Sequence, residues 1–194
     1  MNKIFFIIGM RRSGTSILRK LLLRHPKVND IEFEPHPLWN AVDLAHFERF
    51  KDYSGVQESI GTFWAKGNGD GWHGAKFALN PGTKAMEWIW LPRTFPEAKF
   101  IFITRDHETR WQSYYKEDKN AVRGYIPKHL YFPLSELIEQ GFRDFYSKNE
   151  KKCCFVQYER LLDNAEEELK EAWKLFGISV INGLNGLMRK SQYG

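Results

Sequence analysis

The chain has 194 residues and a mass of 22.9 kDa, with 42% hydrophobic and 15% aromatic residues. That content excludes a disordered chain and predicts one domain, residues 1–194, long enough to bury a substantial core. Lysine and arginine exceed the acids by five and the pI is near 9.1, a balance compatible with an anionic ligand; without a long basic run, zinc-ligand spacing or an aromatic RNA-binding signature, nucleic acid is not an expected partner.

Ile4-Phe5-Phe6-Ile7-Ile8 is a continuous apolar run that ends at Gly9. Five apolar residues are too few for a secretory core or a membrane span, so the expectation is a soluble, cytoplasmic protein with no membrane partner. Ile17, Leu18, Leu21 and Leu22 follow at helical spacing. The stretch therefore reads as a buried strand, a tight turn and an amphipathic helix, with the helix N-terminus aimed at whatever lies above the turn. Gly9, Gly14 and Thr15-Ser16 come close to the GxxxxGK[ST] phosphate loop. Thr15 stands where that loop has its lysine, and Arg11 and Arg12 bring positive charge in earlier. Such a loop suits a shorter anion than a magnesium-bound triphosphate; a plain strand-to-helix turn with a capping hydroxyl is the competing reading.

Arg24-His25-Pro26 predicts the helix stop. Ile31 and Phe33 alternate with Glu32 and Glu34, which predicts a short extended segment with both carboxylates on one side. A mixed, mostly helical pattern covers 38–64, with Leu44, Phe47, Phe50 and Phe63 as candidate core, before the glycine-rich loop 67–71. A strand is predicted over 72–79. A helix capped by Thr83 should then run to about Leu91, with Met86, Ile89 and Trp90 on one face and Trp88 elsewhere.

The clearest later strand is 98–105, followed by a helix over 107–116. Residues 120–133 read as irregular, either a loop over a site or surface decoration, and a helix over 135–146 has Ser135 as its cap. A strand over 153–158 places Cys153 and Cys154 on opposite faces, where two adjacent thiols make neither a disulfide framework nor a metal site. One or two helices then run to Phe176, where Gly177 stops them, and the tail is glycine-rich and then basic. Strands alternating with helices predict an α/β fold of three layers, a central mostly parallel sheet flanked by helices. In such sheets ligands sit beyond the carboxyl ends of the strands, where Gly9–Ser16, Lys76–Asn80, Arg105 and Tyr158 all fall.

With these motifs in this order, the chain from Ile4 to Gly177 resembles the P-loop-like sulfotransferases that use 3′-phosphoadenosine-5′-phosphosulfate (PAPS) and release the bisphosphate PAP. Arg11, Arg12, Ser13, Gly14, Thr15 and Ser16 resemble the family's 5′-phosphosulfate loop, and the resemblance implies that Arg12 steadies the departing sulfuryl group. Phe102-Ile103-Thr104-Arg105-Asp106 with Ser113 eight residues on resembles the 3′-phosphate motif, in which a guanidinium and a hydroxyl share that phosphate. Tyr158-Glu159-Arg160-Leu161-Leu162 resembles the segment whose tyrosine packs near adenine. Lys76 matches a strand lysine that stabilises the leaving group, and Phe33-Glu34-Pro35 matches the segment that supplies a general base. His36 is the rival base, since imidazole titrates near neutrality unaided. Arg189 and Lys190 weakly resemble the Arg-Lys-Gly segment that closes on the 3′-phosphate.

The chain departs from the family in carrying Ile17 where cytosolic members often have an adenine-contacting tryptophan. The expected reaction is sulfuryl transfer from PAPS to a hydroxyl, less readily an amine, of a small-molecule or glycan acceptor, with no metal. An ATP-dependent kinase and a non-catalytic module that binds PAP or another anion are the alternatives; the sequence leaves the acceptor and the oligomeric state open.

Overall fold

The seven residues of β1 (Ile4–Met10) are all buried. A strand without a polar face needs cover on both sides, which only the centre of a parallel sheet provides. In the computed structural model, which describes residues 3–33, 61–63, 65–80, 87–118 and 126–186, β1 pairs in parallel with β3 (Trp72–Leu79) on one side and β4 (Lys99–Thr104) on the other. β2 (Val28–Phe33) extends the sheet beyond β3 and β5 (Cys153–Gln157) extends it beyond β4, giving the order β2-β3-β1-β4-β5 with every pair parallel. The short extended segment expected around Ile31 is thus a full edge strand, six residues long.

The pleat sorts side chains into two cores. Phe5 and Ile7 join Ile101, Ile103, Cys154 and Val156 on one face. There they meet Leu18, Leu21 and Leu22 of α1 (Thr15–Leu22), and Leu161, Ala165 and Trp173 of the C-terminal helices. Ile4, Phe6, Ile8 and Met10 join Phe100, Phe102 and Cys153 on the other face. That side is covered by Leu91 of α2 (Leu91–Thr94) and by Ile138 and Phe142. The three-layer α/β arrangement matches the expectation, and the two cysteines do face opposite layers.

α3 (His107–Asp118) follows β4, and α4 (Lys128–Lys148) leads to β5. After β5 come α5 (Tyr158–Asp163), α6 (Ala165–Glu168) and α7 (Lys170–Phe176), and α7 ends at Gly177 in the left-handed conformation, as read from the sequence.

Two local expectations need correction. α4 starts at Lys128, not Ser135, and carries Pro133 inside it. Pro127 is the N-cap residue, and Pro133 sits on the exposed side near the start of the helix. The carbonyl it leaves without an amide partner, that of exposed His129, is one that water can reach. Ser135 is a buried mid-helix residue and caps nothing. Trp88, placed off the packing face by an α-helical reading, is 3% exposed and lies edge-on to Phe102, Phe142 and Phe145 at 5.3–5.5 Å. Glu87–Trp90 is a 3-10 turn. Its rotation of 120° per residue, against 100° in an α-helix, turns a different side chain inward.

The expected helix cap at Thr83 and the core candidates Leu44, Phe47 and Phe50 lie outside the described residues; Phe63 is buried and stacked on Phe6 at 5.6 Å. No helix among the described residues is long and apolar enough to cross a membrane.

Candidate functional site

The strand order fixes where a ligand can sit. β1 hands the chain through α1 toward β2 on one side of the sheet, and the neighbouring β4 hands it through α3 and α4 toward β5 on the other. Connections that leave two adjacent strands in opposite directions open a crevice at their carboxyl ends. The loop 11–14 stands over that crevice, and Arg105 leaves β4 directly beside it.

The loop is held in a definite shape. Arg11 N–H donates to Leu79 O at 2.8 Å and Ser13 N–H to Met10 O at 3.0 Å. Arg12 has φ 71°, the left-handed region that non-glycine residues seldom occupy, and Gly14 has φ 95°. Gly9 lets β1 and β4 approach at this end, since a Cβ there would fall 2.6 Å from Ile103 Cγ2 and 2.8 Å from Ile103 O. Leu18 N–H makes the bond to Gly14 O at 3.0 Å. The amides of Thr15, Ser16 and Ile17 therefore belong to the first turn, which has no intrahelical acceptors, and the positive end of the helix dipole is added to them.

Three cationic side chains converge here. Arg12 Nε donates to Ser113 Oγ at 3.0 Å. Arg105 Nη1 donates to Arg12 O at 3.0 Å and its guanidinium lies 4.3 Å from the centre of the Tyr158 ring. Lys76 Nζ donates to Ser16 Oγ at 3.3 Å. Lys76 is 2% exposed and lies mid-strand, opposite Ile7; its ammonium, not its backbone, reaches the loop.

Asp106 caps α3 by accepting from Thr109 N–H at 2.9 Å. That bond holds its carboxyl below the usual carboxylate range, against the opposing effect of burial. The sequence permits Asp106 as an ion-pair partner of Arg105, but its carboxylate serves as the helix cap.

The sequence-predicted residues Arg11, Arg12, Gly14, Thr15, Ser16, Lys76, Arg105, Ser113 and Tyr158 thus gather around one loop. Ser13 belongs to the loop differently: it is fully buried, its amide is spent on Met10, and its hydroxyl faces inward to accept from Arg110 Nη1 at 3.5 Å. Glu34, His36, Arg189 and Lys190 lie outside the described residues. Arg110 has no place in the sequence reading, although it is fully buried and bonded to Glu139 and Ser13. Its signal was the shared face at i and i+3 with His107 and Ser113, which an exposed-charge reading of α3 discards. A separate cavity of about 510 Å³, lined by Trp88, Pro92, Phe100 and Phe145, opens near the amino end of β4, away from this loop.

A parallel sheet with a cationic, glycine-bearing loop between its first strand and first helix defines an α/β protein of the P-loop type. The chain belongs to the sulfotransferase family, whose model matches residues 72–182, more than half of its length. That span includes β3, Arg105, Ser113 and Tyr158; the loop 11–14 precedes it.

Protein-tyrosine sulfotransferase 2 of Gallus gallus is 25% identical over 195 residues, covering 91% of this chain and 51% of that one. The chain therefore spans about half the length of this curated relative. Among solved structures, a sulfotransferase of Alicyclobacillus acidocaldarius superposes with a TM-score of 0.66 at 16% identity, over 99% of this chain and 90% of the other. A mouse sulfotransferase crystallised with PAP superposes at 0.58 and 17% identity, over 97% of this chain and 64% of that one. These two likenesses are of fold.

Proposed function

We propose that this sulfotransferase draws its sulfuryl group from PAPS and passes it to an acceptor hydroxyl, within the single domain 1–194. The observation that carries the reading is the meeting of Arg12, Arg105 and Ser113 at the crevice between β1 and β4, where the Arg12 guanidinium donates to the Ser113 hydroxyl and the Arg105 guanidinium to the Arg12 backbone carbonyl, each at 3.0 Å. A bisphosphorylated nucleotide matches that set. The amides at the start of α1, with Arg12 and the Lys76–Ser16 pair, take the 5′-phosphosulfate. Arg105 and Ser113 take the 3′-phosphate, the planar guanidinium fork suiting its oxygens. Tyr158, with Arg105 against one face, offers an aromatic surface for the adenine. The PAP bound by the mouse structure supports PAPS as the donor.

In the reaction the acceptor oxygen forms a bond to sulfur while the bond from sulfur to the 5′-phosphate oxygen breaks. The acceptor's proton goes to a base, and PAP leaves with added negative charge. Arg12 and Lys76 stabilise that charge, Arg11 adds to the local positive field, and Glu34 takes the proton, with His36 as the rival. The relative's name specifies a tyrosine acceptor, so a tyrosine peptide belongs in the acceptor panel with sugars and small alcohols.

The test is thermal unfolding with PAP, with ATP and magnesium, and in buffer, for the wild type and Arg105→Ala. A ligand at about 100 times its Kd adds roughly 2.7 kcal/mol to a fold that alone binds it. The expected result is a rise in Tm with PAP that Arg105→Ala loses. A rise with ATP and magnesium alone defeats the reading in favour of a kinase. Glu34→Gln should then leave PAP binding intact and lower turnover from labelled PAPS by about 10²–10⁴-fold, the range of general base catalysis. Turnover near wild type moves the base to His36, and PAP binding with no turnover on any acceptor favours a non-catalytic module.

A further inference from the structure

Arg110 is a charged side chain with 0% exposure in the middle of the described fold. Its Nη1 donates to Glu139 of α4 and to Ser13 of the loop, the latter at 3.5 Å. Glu139 is itself buried, and its second oxygen accepts from His107 Nε2 at 3.1 Å. His107 and Arg110, one turn apart on α3, thus grip one carboxylate on α4. Taking an arginine and a glutamate out of water costs several kcal/mol per ion before their attraction returns it, and an apolar pair of similar volume often does as well for stability. The pair therefore calls for a reason other than stability, and its neighbours supply one.

Ser113 lies one turn beyond Arg110 on the same face of α3 and accepts from Arg12, the residue before Ser13. Two consecutive loop residues are fastened to two residues one turn apart on one helix. Arg12 meanwhile holds a left-handed φ of 71°, a conformation that persists only where the surroundings over-determine it. His107, Glu136 and Glu139 also bring donor atoms within 4.8 Å of one another, a spacing that a metal could use. Both carboxylates are already engaged by guanidinium groups, Glu139 by Arg110 and Glu136 by Arg143. The cluster works as a fastening between helices.

We infer that Arg110, anchored by Glu139, is a positioning residue of the donor site. It sets the loop through Ser13 and the attitude of α3 through α4, and so places Arg12 and Ser113 without touching the nucleotide. This rests on the PAPS reading above.

The experiment is calorimetric measurement of PAP affinity in the full chain, alongside Tm, for wild type, Arg110→Lys, the apolar pair Arg110→Met with Glu139→Leu, Ser13→Ala, and the triple variant. Arg110→Lys keeps a charge for Glu139 but loses the fork, so it guards against a double variant that does not fold. The expected result is a near-normal Tm for Arg110→Lys and for the apolar pair, with PAP bound roughly tenfold more weakly in each. Ser13→Ala should weaken PAP to a similar degree, and the triple variant should lose no more than the apolar pair. A folded Arg110→Lys or apolar pair with wild-type PAP affinity overturns the inference, and so do additive losses in the triple variant. A wild-type protein that does not bind PAP overturns the donor-site reading and this inference with it; PAP bound equally by wild type and variants overturns this inference alone.

Discussion

Gly14 stands at the crowded point of the site. Its φ is 95°, and a Cβ there would lie 2.3 Å from Tyr158 Cδ2 and 2.8 Å from Tyr158 Cε2. Two separate penalties therefore fall on Gly14→Ala. The left-handed backbone costs an L-residue about 1–2 kcal/mol, and forcing a methyl against a packed ring costs about 1–3 kcal/mol. We expect urea denaturation to report a loss of about 2–5 kcal/mol. Adding Tyr158→Ala should return the packing part and leave the backbone part. If the second substitution returns nothing, the ring is not what confines the loop. The same contact explains why a glycine, and not the lysine-bearing pattern alone, was informative in the sequence: Gly14 was legible as a turn residue, but the tyrosine that closes on it from 144 positions away was not. The burial of Ser13 against Arg110 escaped for a related reason. A serine within a phosphate-loop motif reads as a ligand contact, and an arginine on a charged helix reads as surface; their mutual burial is a property of two helices meeting over the loop.

At the scale of the element, β1 and β4 were legible because each carries an apolar run that a buried parallel sheet requires, β1 being the extreme case with all seven residues buried, whereas the edge strand β2 was legible only from the alternation at its end. The helix α4 was legible only from Ser135 onward, because a proline inside a helix mimics a boundary unless one knows that its exposed side faces water. Trp88 was misplaced because a 3-10 turn and an α-helix are nearly indistinguishable over four residues of sequence. β5 offers a test of its own burial. Loss of water around the thiol pushes Cys153 up to about 12, with Lys99 and Lys152 opposing, and burial pushes Cys154 up as well. An unfolded thiol titrates near about 8.5. Between that value and about 12, the unfolded chain gives up a proton that the folded Cys153 keeps. The contribution of Cys153 to stability is therefore complete below about 8.5 and declines as pH rises toward its folded value, by at most about 1.4 kcal/mol per pH unit. Chemical denaturation from pH 8 to pH 11 should fall less steeply in Cys153→Ala than in wild type. Equal slopes would mean that the thiol at the sheet edge is as wet folded as unfolded.

For the whole molecule, charge is the quantity that ties the fold to the proposed donor. The chain carries a net +5, and the sheet order brings Arg12, Lys76 and Arg105 from the regions of three different strands to one crevice. A ligand with phosphate groups at both ends would feel both the local pairs and the overall field, which steers anions toward the protein. Screening separates these from the apolar part of recognition. The Debye length shortens from about 10 Å at 0.1 M salt to about 3 Å at 1 M, so interactions of phosphates with the partly exposed Arg12 and Arg105 should weaken while stacking on Tyr158 should not. We expect the Kd for PAP to rise by roughly tenfold or more between 0.05 and 0.5 M sodium chloride, measured by calorimetry at constant pH. Adenosine, which keeps the base and sugar but has no phosphates, should bind weakly and with little salt dependence. Arg105→Ala should both weaken PAP and flatten its salt dependence, because the variant has one fewer charge for salt to screen. A PAP affinity indifferent to salt, with adenosine binding nearly as well, would place recognition on the aromatic surface and leave the convergence of the three cations without a ligand to explain it.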